Sequence, residues 1–232
     1  VAWLAGQTDT LDIFKHGKDI YCATASRMFG VPVEKNGVNK ELRQKGKIAT
    51  LALGYGGSTG ALINMGALKQ GLTEEELPDI VQRWRESNQR IRDFWYKVES
   101  AALECINTGR QQGVNNLLFS MEGDQRSNQW FMTITLPSCR KLYYAKPFIT
   151  PGEYNDAIHY WGMNQTSHKW QVVDTWGGKL VENITQAVAR DCLAESIERL
   201  ESAGYPIVFH VHDEVIIDIP KEKAGLDVVC RI

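Results

Sequence analysis

No apolar stretch in this chain of 232 residues approaches the roughly 20 residues a membrane-spanning helix needs, which excludes a spanning helix within it. Cysteine is sparse and scattered: positions 22, 105, 139, 192 and 230 form no Cys-x-x-Cys pair. That spacing excludes a zinc ribbon, and the odd, dispersed set reads as reduced thiols of a cytosolic compartment. No internal repeat is visible. Net charge is only −2 at pH 7, which excludes a uniformly basic polyanion binder. Disorder is excluded too, because 43% of the residues are apolar and 23% charged, a balance that supports a packed core. The length suits one or two domains.

The charge that is present is sorted along the chain. Residues 39–47 carry four basic side chains against one acidic, residues 83–97 carry five against two, and residues 191–232 carry nine acidic against four basic. A basic half and an acidic half are what metal-dependent phosphoryl transfer on a nucleic acid would need.

Two segments concentrate that asymmetry. Residues 207–219 place the acidic pair Asp213-Glu214 between two β-rich apolar runs. The pattern predicts a tight hairpin between buried strands. Carboxylates beside an apolar sheet cost free energy unless solvated or matched by a cation. Magnesium suits them, because it prefers hard oxygen ligands and links carboxylates to substrate phosphates. A solvated acidic turn is the plainer reading of this pair in isolation, since turns favour Asp for backbone reasons. His210-x-His212-Asp213 departs from the His-x-His-x-Asp-His signature of dinuclear metallohydrolases at Glu214 and Val215. Strand alternation puts His210 and His212 on one face, with His210 expected to pack as a strand residue.

The second segment, residues 39–57, predicts a helix over 39–53 with Asn39 as its N-cap and glycines after its end. Arg43, Lys47, Leu51 and Tyr55 recur at four-residue steps, each drifting only about 40° around the helix. The first three share one face, with Tyr55 near its edge, over about 18 Å of rise. Two cations, an apolar side chain and an aromatic ring could meet phosphates, sugar and base in that order. Arg grips phosphate through a planar fork, and Lys acts as a point charge.

These segments together resemble the family A DNA polymerases, the DNA polymerase I type. The resemblance rests on Arg43-x-x-x-Lys47-x-x-x-Leu51-x-x-x-Tyr55-Gly56 followed far downstream by His212-Asp213-Glu214. Lys18-Asp19-Ile20-Tyr21, running to Met28-Phe29-Gly30-Val31-Pro32, is similar to the stretch that precedes the family's nucleotide-binding helix. Asn183-Ile184-Thr185-Gln186 resembles its primer–template-reading helix. The likeness is strongest over residues 1–66 and 178–220, and the middle looks most like phage-type members. It implies an α+β fold, with an incomplete polymerase palm of antiparallel sheet and helices, plus mainly helical fingers. Residues 1–8 are then expected to be a palm segment. Residues 9–178 would be fingers with a β-rich insertion at about 112–178, and residues 179–232 palm with the His-Asp-Glu hairpin. The family's first catalytic aspartate would fall a few residues before Val1, so an internal fragment, inactive by itself, is expected.

Periodicity fills in the rest. Helices are expected at Val1–Ala5, at Asp19–Phe29 and over 179–203. Thr73-Glu74-Glu75-Glu76 is a capping-box pattern, with Pro78 restarting or bending the helix that follows. Trp84, Asn88, Ile91, Trp95, Val98 and Ala102 then recur at helical spacing up to Thr108-Gly109, an aromatic stripe expected in the core rather than as a base-stacking platform. Leu117–Ser120, Trp130–Leu136, Lys141–Ala145, Ala157–Met163 and Trp170–Asp174 are expected strands of a small antiparallel region that supports the palm or contacts the template strand.

The activity implied by the resemblance is template-directed DNA synthesis with release of pyrophosphate, on primer–template DNA and deoxynucleoside triphosphates. Two Mg2+ ions would be held by Asp213 and by the aspartate outside the chain, with Glu214 near the metals or the primer end. Arg43 and Lys47 would bind the triphosphate, and Lys47 would protonate the leaving pyrophosphate. Leu51, where the family often has Phe or Tyr, would pack on sugar and base. Tyr55 would police the templating base, and His212 would approach the primer terminus. Gln186 would sense base-pair geometry in the minor groove, whose acceptor recurs in every pair. Asn183 lies beside Gln186 on the helix. In many relatives the asparagine sits four residues before the glutamine, where this chain has Glu182. The expected setting is the cytoplasm, a host's if phage-encoded, with no membrane partner and no processivity factor specified by the sequence. A single-subunit RNA polymerase shares the Arg/Lys/Tyr-Gly arrangement but tends to have Ser at position 214 and Met at 51. A non-catalytic nucleic-acid-binding module is the alternative from another class.

Overall fold

The structure, a computed structural model, describes residues 1–152, 156–223 and 225–232. Its first half is helical: α1 (Ala2–Ala5), α2 (Thr8–Lys15), α3 (Ile20–Phe29), α4 (Leu42–Leu53), α5 (Thr59–Asn64), α6 (Leu77–Ser87) and α7 (Gln89–Thr108). Six strands follow: β1 (Gln112–Val114), β2 (Leu117–Asp124), β3 (Gln129–Thr135), β4 (Lys141–Thr150), β5 (Ala157–Met163) and β6 (Trp170–Thr175). Helix α8 (Gly177–Ser202), a hairpin of β7 (Ile207–Val211) and β8 (Glu214–Ile217), and a short α9 (Leu226–Val229) complete the described residues. The α+β class expected from the sequence is borne out.

The six strands form one antiparallel meander in the order β1-β2-β3-β4-β5-β6, so each strand pairs with its sequence neighbours. Alternation decides what the sheet buries. Leu117, Phe119, Met132, Ile134, Tyr144 and Ile158 are buried. They lie on one face, in register through Phe119–Ile134 and Met132–Tyr144. On the opposite face Tyr143, Trp161, Met163 and Trp170 are exposed. Helix α7 packs on the sheet and on α8.

A single core joins these layers. Leu4, Ile48, Leu53, Leu62, Trp84, Phe94, Val98, Phe119, Ile134, Leu180 and Ile184 belong to one buried cluster. It therefore runs through α1, α4, the sheet and α8. The aromatic stripe is core, as its spacing predicts: Trp84 and Trp95 stack at 5.9 Å with their planes 1° apart, and both are buried.

Three local expectations need correction, and one strand was not expected. The helix expected from Asn39 begins at Leu42; Asn39 instead takes a φ of 53° in the preceding turn, and its amide donates to the Pro32 carbonyl at 2.8 Å. Asparagine tolerates that left-handed turn better than most residues. The single helix expected through Asn88 is broken there, because the buried Asn88 amide donates to the Trp84 carbonyl at 2.9 Å and ends α6. Strand β1 escapes alternation because it has only three residues, Gly113 among them. The strands of the His-Asp-Glu hairpin are not buried: Val208 and Phe209 are 62% and 60% exposed. Among the smaller elements, Thr73 and Glu76 do form the capping box, and Pro78 stands in the first turn of α6.

Candidate nucleotide and metal site

Helix α4 packs against α3 alongside its basic row. A Cβ on Gly46 would come within 2.3 Å of the Tyr21 carbonyl oxygen and 2.9 Å of Ala25 Cβ. Only glycine permits this approach, and Gly46, Ile48, Ala49 and Leu53 are buried. Arg43 and Lys47 are left half-buried and Leu51 is 47% exposed, on the face that the four-residue steps predict. Their cations stand over the Tyr21 ring, with centroid distances of 5.2 Å from Arg43 Cζ and 6.0 Å from Lys47 Nζ. Lys45 points elsewhere and pairs with Glu76 at 3.0 Å.

Asp19 connects α3 to this row. Its Oδ1 accepts from the backbone N–H groups of Tyr21 and Cys22 at 2.9 and 3.0 Å, capping α3. Its Oδ2 accepts from Arg43 Nε and Nη2 at 2.9 and 2.8 Å. Burial works against the Asp19 charge, yet the Arg43 guanidinium and the two N–H donors outweigh it and hold the carboxyl below its usual range. The bond to Asp19 correspondingly raises Arg43.

Tyr55 lies past the end of α4, which stops at Leu53 with Gly54 as its cap. The Gly54 carbonyl accepts from the buried Trp95 indole N–H at 3.1 Å. A Cβ on Gly178 would meet the Tyr55 carbonyl oxygen at 2.1 Å, so the start of α8 closes directly on this turn. Burial raises the Tyr55 hydroxyl pKa, and the nearby Glu182 carboxylate adds to the rise. The turn after the basic row is thereby joined to the helix carrying Asn183 and Gln186.

Those two amides differ. Gln186 is exposed, whereas Asn183 is half-buried and donates to the Tyr144 hydroxyl at 3.1 Å. Tyr144 itself is buried, and burial pushes its hydroxyl up to about 12. Asn183 thus ties α8 to the sheet, while Gln186 faces outward. Arg140 strengthens the same junction, donating to Asp191 at 2.6 Å and to the Ala187 carbonyl at 2.8 Å.

The hairpin forms at its predicted position, with Val211 opposite Glu214 and a turn at His212-Asp213. His212 takes a φ of 51°, a left-handed conformation unusual for a residue other than glycine. It therefore sits in the turn, and the expectation that it shares a strand face with His210 fails. His210, His212, Asp213 and Glu214 are all exposed. The hairpin is anchored to α8 through the Glu201 carboxylate, which accepts the Ile207 N–H at 2.6 Å. Among the described residues no hydrogen bond or ion pair engages the Asp213 carboxylate, and none joins α4 to the hairpin.

No three His, Cys, Asp or Glu side chains among the described residues are grouped as a metal site requires. Asp213 nevertheless fits a divalent cation in donor chemistry, being a hard-oxygen ligand with no competing partner here. Further ligands would have to come from water, phosphate or residues outside this set. A cavity of about 320 Å³ does adjoin α4, lined by Thr50 and Gly54 together with Trp3, Phe14, Arg27 and Trp84. Arg43, Lys47, Leu51 and Tyr55 do not line it.

No protein-family model matches the chain. Its sequence is 48% identical to a DNA polymerase of Bacillus phage SP02 over 99% of the chain, which covers 35% of that protein. It is 29% identical to the thermostable DNA polymerase I of Thermus caldophilus over its whole length, covering 22% of that enzyme. Against the thermostable DNA polymerase I of Thermus aquaticus it is 23% identical over 97% of the chain. Over nearly its whole length the chain is similar in sequence to these DNA polymerases. The resemblance to family A read from its motifs is thereby borne out, over about a third of the phage protein's length and a fifth of the Thermus enzymes'. No helix among the described residues is long and apolar enough to cross a membrane.

Proposed function

We propose that this chain is the nucleotide-binding and part of the catalytic region of a template-directed DNA polymerase. The observation that carries the reading is the row on α4: Arg43 and Lys47 on one accessible face, followed by the exposed Leu51 and by Tyr55 against α8. In the proposed reaction the primer 3′-hydroxyl attacks the α-phosphorus of a deoxynucleoside triphosphate, and pyrophosphate leaves. Arg43 and Lys47 hold the triphosphate and offset the charge that builds on the leaving group. Lys47 delivers the proton that pyrophosphate takes up. Leu51 packs on sugar and base, Tyr55 bounds the templating position, and Gln186 senses pair geometry from the minor groove. Asn183 acts at one remove, through Tyr144. Asp213 contributes a carboxylate to divalent-ion binding, Mg2+ in our reading, with Glu214 and His212 beside the primer end. Such ions, when bound, stabilise the attacking and leaving oxygens of an in-line displacement. Residues 1–8 and 179–232 serve as palm and residues 9–178 as fingers, in a cytoplasmic enzyme.

The test is primer extension by the full-length protein that carries these residues. Deoxynucleotides should be incorporated faster than ribonucleotides, Asp213→Ala should abolish extension, and Arg43→Ala and Lys47→Ala should each weaken triphosphate use. Faster ribonucleotide incorporation would overturn the choice of DNA over RNA synthesis. Extension that survives Asp213→Ala would remove the hairpin from the chemistry.

A further inference from the structure

Asp19 divides its two oxygens between two tasks, and the division bears on the phosphate site. Oδ1 caps α3 through two backbone N–H groups, while Oδ2 takes both Nε and Nη2 of Arg43. A guanidinium offers five N–H donors in a rigid fork. Two nitrogens are turned toward Asp19, and Nη1 makes no hydrogen bond to oxygen or nitrogen among the described residues, although the Cys22 thiol lies near the guanidinium. The Tyr21 ring lies 5.2 Å from Arg43 Cζ. The guanidinium is thus fixed by a carboxylate on one edge and a ring on one face, with its remaining edge available.

We propose that Asp19 is a positioning residue for nucleoside triphosphate binding: it aims the free Nη1 edge of Arg43 at the phosphates. This rests on the assignment of Arg43 to the triphosphate made above. Two physical effects compete. The Asp19 charge cancels part of the site's positive potential, which weakens attraction for phosphate. Its bonds also remove the rotamer entropy that a long arginine would otherwise lose on binding. The orientation effect wins here, because both bonds are short and charge-assisted and the pair is three-quarters buried, at 25% exposure for each side chain.

Asp19→Asn separates these effects. The amide oxygen still caps α3, but the amide NH2 meets two Arg43 donors. In full-length protein, Asp19→Asn should raise KM for the nucleotide about ten-fold, the loss of one charge-assisted interaction, while kcat changes little. Arg43→Ala should raise KM as well, and adding Asp19→Asn to it should raise KM no further. An unchanged or lowered KM in Asp19→Asn, with Arg43→Ala still impaired, would overturn the proposal and leave Asp19 a helix cap. A KM rise from Asp19→Asn that persists in the Arg43→Ala background would also overturn it. If Arg43→Ala leaves KM unaltered, the assignment of Arg43 to the triphosphate fails first, and the proposal with it.

Discussion

The basic face of α4 and the acidic hairpin are built on opposite terms. Arg43 is braced by Asp19 and Tyr21, and the helix beneath it is wedged against α3 at Gly46. The hairpin meets α8 at one end, and Val208, Phe209, Val211 and Ile216 lie open. The difference is one of who does the organising. On the proposed function, cations that grip a mobile, highly charged phosphate tail gain from being held before it arrives. A carboxylate proposed to meet a divalent ion gains more from staying solvated and unpaired until the ion neutralises it.

Substitutions can break or sharpen that contrast by their cost in stability. The largest effect is expected inside the braced half. Phe94→Ala removes a side chain that is 1% exposed and should cost about 3–5 kcal/mol by urea denaturation. Gly46→Val should cost about 1–3 kcal/mol by forcing α3 and α4 apart, and should weaken nucleotide binding with it. Asp19→Ala should cost about 1 kcal/mol through the lost cap. Because the folded Asp19 pKa is lowered, the stability of the wild type relative to Asp19→Asn has a defined sign with pH. It is full above the ordinary carboxylate value of about 3.9 and lost as pH falls through the lower folded value. Unfolding midpoints at neutral and strongly acid pH should show that difference disappear. The smallest effect is expected on the hairpin: Phe209→Ser should stay within about 0.5 kcal/mol. A loss of several kcal/mol there would mean that the hairpin is braced after all.

Much of this was legible beforehand, and what was not has common causes. The cores of β2 to β6 follow from alternation bounded by Gly, Asn and Pro, and the face of α4 follows from its four-residue steps. Asn39 and Asn88 misled because an asparagine amide can answer a carbonyl at several sequence distances, and only the fold selects which. Exposure of the hairpin could not be read from apolar alternation, which reports the capacity to be buried and not the neighbour that does it. The Asp19–Arg43 bond joins residues 24 positions apart. Its single sequence trace is that Asp19 stands where α3 needs a cap. The two-fold use of its carboxylate, and the split between Asn183 and Gln186, come from packing that no spacing rule encodes.

The consecutive pairing of β1 through β6 has an evolutionary corollary. A meander in which every strand zips onto the one before it contains no crossover to rethread, and its closures are short-range and fast. Lengthening or trimming the ribbon at one of its hairpin turns, such as residues 125–128 between β2 and β3, would leave the pairing of the other strands untouched. Lineages could thus resize this part of the molecule while the helices carrying Arg43 and Gln186 stay where they are.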